Sequence, residues 1–141
     1  MKCKKSSLKI VPIFLLGTNP DATIGRTKTK QETRTNEILK KYGLDNQAKL
    51  LIRNDKQILS INIHGVDAFT IFPYCLERFS SLLHLAESGR PIIIVSEENT
   101  FPNALETYQY LADRESVELA FDPKQVEAKI KASKPSKMLE T

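Results

Sequence analysis

The 141-residue sequence predicts a three-layer α/β fold built around a five-stranded parallel sheet. Three observations carry this expectation. Short β-branched runs alternate with stretches of helical period along most of the chain, the pattern of repeated strand–helix–strand units. The runs are apolar at nearly every position and not at every second one, so both faces of each strand need cover. Gly, Pro, Asn and Asp punctuate the joints between the runs.

The elements follow in order. Residues 8–16 form the first strand, ended by Gly17, Thr18, Asn19, Pro20 and Asp21. A helix over 30–42 turns Ile38, Leu39 and Tyr42 inward and stops at Gly43. Residues 48–52 are the second strand, and Asp55 is placed to cap a short helix containing Ile58, Leu59 and Ile61. Gly65 closes that helix, and 68–72 form the third strand. The helix expected over 76–88 has Leu76, Phe79, Leu82, Leu83 and Ala86 at helical spacing, with Gly89 as its stop and Pro91 blocking continuation.

Ile92, Ile93, Ile94 and Val95 make the fourth strand, short and β-branched throughout. Pro102 suits the first turn of a helix whose buried stripe is Ala104, Leu105, Tyr108, Leu111 and Ala112. Residues 117–121 are the fifth strand, and Asp122-Pro123 starts a last helix running to Ala132. One domain over 1–132 results, with 133–141 as a polar tail or linker. Right-handed crossovers then leave few topologies, and the flavodoxin-like order 2-1-3-4-5 leads. In that order a ligand crevice forms at the carboxyl ends of strands one and three, where the winding reverses.

Composition bounds the function. A hydrophobic fraction of 40% and a charged fraction of 27% describe an ordinary globular domain. No apolar run reaches the length of a membrane span; residues 10–16, after a basic start, are too short for a secretory leader, are broken by Pro12, and lack a cleavage motif. Cys3 and Cys75 make no disulfide framework, no CxxC or HxxxH spacing supports zinc, and the chain reads as cytoplasmic. The net charge of +4 is unevenly spread: basic up to Arg53, acidic from there to Pro123, basic again in the tail. That asymmetry suits solvated helix faces, anion binding near the first loops, or self-association of basic on acidic faces. The basic residues have no nucleic-acid-binding context.

Three loops should meet at the crevice. They hold Gly17, Thr18, Asn19 and Asp21; Pro73, Tyr74 and Cys75; and Ser96, Glu97, Glu98 and Asn99. Backbone N–H groups, a phenol, a thiol and a carboxylate pair could orient a polyhydroxylated small molecule, since hydroxyls need donors and acceptors. Exposure alone also makes such loops polar. Glu97 and Glu98 leave a strand on opposite faces and read as structural charge before they read as acid and base. His64 should precede the third strand, far from the crevice, and His84 lies off its helix's apolar stripe, so neither serves Cys75. GxxxxGK[ST] and GxGxxG are absent, the first strand lacks the acidic end of a phosphorelay receiver, and Gly17 to Thr23 only loosely matches a flavin-phosphate loop.

The stretch Asp67-Ala68-Phe69-Thr70-Ile71-Phe72-Pro73, a helix, and Gly89-Arg90-Pro91-Ile92-Ile93-Ile94-Val95 resembles the amino-terminal region of L-fucose isomerase-like and L-arabinose isomerase-like proteins. The likeness spans 66–111. It implies an amino-terminal, substrate-lining and oligomer-contacting domain of an aldose–ketose isomerase-like protein in carbohydrate metabolism, a homo-oligomer not catalytic alone. The family's divalent ion, typically manganese, is held in later domains, so no metal ligand carries over to a numbered residue. Two other readings stand beside it: a free-standing flavodoxin-like module for small-ligand binding or regulation, and a small enzyme using Tyr74, Glu97 or Glu98.

Overall fold

The structure is a computed structural model and describes residues 8–17, 27–74, 78–96, 108–112 and 114–139. The elements are β1 (Ile10–Leu15), α1 (Lys28–Lys41), β2 (Leu50–Ile52), α2 (Asp55–Leu59), β3 (Ala68–Pro73), α3 (Leu82–Glu87), β4 (Ile92–Val95), α4 (Gln109–Ala112), β5 (Val117–Ala120) and α5 (Pro123–Leu139). All pairings are parallel and the order is β2-β1-β3-β4-β5, the flavodoxin-like arrangement expected from the sequence.

The side-chain alternation of each strand divides the interior into two layers. Val11, Ile13 and Leu15 of β1 join Phe69, Ile71, Ile92 and Ile94 against α2, α3 and α4, through Ile58, Leu82, Leu85 and Leu111. Ile10 and Phe14 join Ala68, Phe72, Ile93 and Val95 against α1 and α5, through Leu39, Tyr42 and Val126. Every residue of β1, β3 and β4 is buried, which is why their sequences run apolar without alternation.

β1 and β3 pair over six residues, Ile10 opposite Ala68 through Leu15 opposite Pro73. Within that ladder Phe14 faces Phe72, and their rings stack with centroids 4.7 Å apart. Tyr42 meets Phe72 edge-on at 5.3 Å and Tyr74 stacks on Phe14 at 6.2 Å. Such offset and edge contacts add to the area these rings bury.

Pro12 stands in the middle of this strand, where a missing N–H would normally break a ladder. Along β1 the even-numbered residues direct their N–H toward β2, as Leu16 donating to the Ile52 carbonyl at 2.8 Å demonstrates. β2 pairs only from Leu50, opposite Ile13, so the donor Pro12 lacks would have had no β2 partner. The Gln47 side chain completes the shortened edge: its Oε1 accepts Ile10 N–H at 3.2 Å and its Nε2 donates to the Leu8 carbonyl at 2.9 Å.

Several boundaries differ from the sequence expectation. Thr27 caps α1, its hydroxyl accepting Lys30 N–H at 3.0 Å, so the helix starts before residue 30. Gly43, at φ 69°, lets the chain leave α1, with Leu44 N–H returning to the Leu39 carbonyl at 2.8 Å. Asn54, not Asp55, caps α2, in a reciprocal capping box with Gln57. Asp55 is freed to accept Ser81 N–H at 2.9 Å.

Leu76 and Glu77 lie outside the described residues, and from Arg78 on the helix expected over 76–88 is regular only over Leu82–Glu87. Before it, Leu82, Leu83 and His84 donate to the carbonyls of Phe79, Ser80 and Ser81, a tighter winding that preserves near-helical spacing and so mimics a longer helix in sequence. Phe79 is accordingly buried without lying in a regular helix. α5 continues past Ala132 to Leu139, where a polar tail was expected. Polar composition reads as a tail or linker, but a helix can have the same composition. Among the described residues, no helix is long and apolar enough to cross a membrane.

Thr70 is fully buried in β3, between Pro12 and Ile93, and its hydroxyl has no hydrogen-bond partner among the described residues. Thr70→Val should therefore leave the fold intact and raise unfolding free energy by up to about 1 kcal/mol in urea titration. Phe14→Ala empties the centre of the aromatic cluster and should cost about 3–5 kcal/mol in the same measurement.

Candidate functional site

The winding reversal lies between β1 and β3, so the candidate site is the carboxyl end of these two strands. Gly17 leaves β1 with φ 70° and donates to the Ile52 carbonyl at 3.2 Å, which ties the loop's first residue to the end of β2. The positive φ is why glycine suits this turn out of the sheet. Pro73 ends β3 opposite Leu15, and Tyr74 N–H donates to the Leu15 carbonyl at 2.9 Å. Ser96 follows β4, half-buried, with its N–H on the Ala120 carbonyl at 2.8 Å.

The structure thus brings Gly17, Pro73, Tyr74 and Ser96 to one end of the sheet. Tyr74, at 5% exposure, has its ring in the core beside Phe14, where it contributes packing. Thr18, Asn19, Asp21, Cys75, Glu97, Glu98 and Asn99 lie outside the described residues. His64 is exposed before β3 and His84 is exposed on α3.

Two polar groupings at the carboxyl side went unread in the sequence. Arg53 directly follows β2, and its guanidinium donates to the Oε1 of Gln31, a buried residue in the second turn of α1. Thr35, one turn on and also buried, donates its hydroxyl to the Gln31 carbonyl at 2.7 Å. The signal was present: Gln31, Thr35 and Leu39 are spaced by four and share one helix face. Their polarity hid them from a search for apolar period. The Arg53 guanidinium gives this rim a donor for anionic or hydroxyl oxygens.

The second grouping lies on the opposite helical layer, where Asp55 starts α2 and residues 78–81 lead into α3. Tyr110 donates its hydroxyl to the Phe79 carbonyl at 2.6 Å, and the Arg78 guanidinium sits 4.0 Å from its ring centroid. Burial pushes the Tyr110 phenol up to about 12 from its ordinary 10, against the pull of Arg78 and with help from the Asp55 carboxylate. These contacts join α2, α3 and α4 and leave the phenol a neutral donor.

Among the described residues, no three His, Cys, Asp or Glu side chains are grouped to hold a metal ion. Comparison with protein-family models, curated proteins and solved structures finds no match to the chain.

Because the folded protein favours the neutral phenol, Tyr110 contributes stability that is complete below pH 10 and lost as pH rises through about 12. Tyr110→Phe should lower stability at pH 8 by about 1 kcal/mol, since the Phe79 carbonyl keeps its bond from Leu82 N–H. The variant should then lose less stability than the parent between pH 10 and 12, measured by denaturant midpoints across that range.

Proposed function

We propose that this domain lines a small-ligand crevice in a sugar isomerase-like protein that assembles into oligomers, and that it does not convert sugar alone. One observation supports this reading most. The two segments that resemble the isomerase-like family are the neighbouring strands β3 and β4, paired Phe69 to Ile92, beside the winding reversal of a 2-1-3-4-5 sheet.

The polar residues of those segments have structural tasks at the amino ends of the strands. The Asp67 carboxylate accepts Lys9 N–H at 2.6 Å, and Arg90 Nε donates to the Val66 carbonyl at 3.1 Å. The resemblance therefore concerns the scaffold. The ligand contacts fall to the carboxyl ends, where the Arg53 guanidinium and the Ser96 hydroxyl are donors suited to a polyhydroxylated molecule. Manganese would belong to other parts of a complete enzyme, and no step on this chain is routed through it.

The test combines saturation-transfer NMR with L-fucose and L-arabinose and an isomerisation assay with manganese, both on the purified chain. Saturable sugar contact without aldose–ketose conversion is expected, with Arg53→Ala weakening the contact about tenfold. No sugar contact, or conversion by this chain alone, overturns the proposal. The intact mass from the native source separates the two settings. A product several-fold heavier supports a domain of a larger enzyme, and one of this size favours a free-standing ligand-binding module.

A further inference from the structure

A second concavity lies away from the crevice, on the helical layer formed by α1 and α5. It measures about 610 Å³ and lies between the last turn of α1, the 42–47 turn, the start of β1 and the first turns of α5. Leu44 and Ile130 supply apolar wall, while Lys40, Lys41, Lys124 and Lys131 line it with one carboxylate among the described residues, Glu127. Lys131 pairs with Glu127 at 3.5 Å. Neither Lys40 nor Lys124 forms an ion pair among the described residues.

Lys40 and Lys41 lie in the last turn of α1, where the helix dipole favours cations, and need no ligand to explain them. Lys124 is different. It lies in the first turn of α5, where the dipole disfavours a cation, and Asp122 is already engaged as the cap, accepting Gln125 N–H at 2.8 Å. Lys40, Lys41 and Lys131 line the same cavity, and an anion bound there offsets the unfavourable placement of Lys124.

We infer that this groove is a binding site for a small polyphosphate-bearing molecule, distinct from the crevice at the carboxyl ends of β1 and β3. Ammonium groups without an arginine fork suit clustered phosphates as point charges better than a single planar carboxylate. The volume lies within the range of small-molecule sites, and the apolar wall leaves room for an organic moiety beside the phosphates.

The experiment titrates inorganic tripolyphosphate, ADP and citrate into the full chain at low ionic strength, by calorimetry and by amide shifts of residues 40–47 and 123–131. Saturable tripolyphosphate binding is expected, weakening with added salt. The double variant Lys40→Gln/Lys124→Gln should weaken it at least about tenfold with an unchanged melting temperature. Lys56→Gln, on the exposed side of α2, should leave it unaltered. ADP binding more tightly than tripolyphosphate supports a ligand whose organic part uses the apolar wall; equal affinity supports recognition of the phosphates alone. No saturable phosphate binding, equal weakening by Lys56→Gln, no effect of the double variant, or citrate binding as tightly as tripolyphosphate overturns the inference.

Discussion

The pairing of β1 with β3 is the constraint on which the other features rest. It is a six-residue ladder buried on both faces, and it holds the Phe14–Phe72 stack in register. Because these two strands are adjacent although β2 intervenes in sequence, the chain must wind to one side of β1 first and to the other side afterwards. That reversal separates the first helices on the two faces and opens the space at the carboxyl ends. Loss of this ladder would undo both helical layers together.

The two ends of the sheet carry different tasks. At the amino end, Gln47, Asp67 and Arg90 spend their hydrogen bonds on strand starts, and Gln47 completes the side of β1 that β2 is too short to cover. At the carboxyl end, Gly17, Arg53 and Ser96 are anchored by backbone bonds or by Gln31 while standing next to the loops that leave the strands. Rigid strand ends that deliver such loops are a general basis for ligand sites. The segments on which the proposed kinship with sugar isomerase-like proteins rests therefore bear on how the scaffold is built before they bear on what is bound.

Charge follows the same division. Lys40 and Lys41 of the basic first segment and Lys124 and Lys131 of the last come to one groove, because α1 and α5 lie on one face of the sheet. Two basic stretches far apart in sequence thus become the walls of one groove. On the opposite face, Asp55, Arg78 and Tyr110 join three short helices through mixed charge and a neutral phenol.

The strand runs and their parallel order were legible in the sequence, because a strand covered on both faces must be apolar at successive positions, as Ile92 to Val95 is. Gly43 as a helix stop was equally legible, since few other residues accept its φ. The buried polar pair Gln31 and Thr35 was not, because polarity conceals a helix face whose burial depends on Arg53 arriving from another element. The start of α3 was misread because a tight turn and a helix share nearly the same apolar spacing. Local patterning by itself determined which segments are strands and which way they must pair. Only the tertiary structure decided which polar groups meet, since Gln47 with β1, Tyr110 with Phe79, and the lysines of α1 with those of α5 are joined by packing between elements distant in sequence.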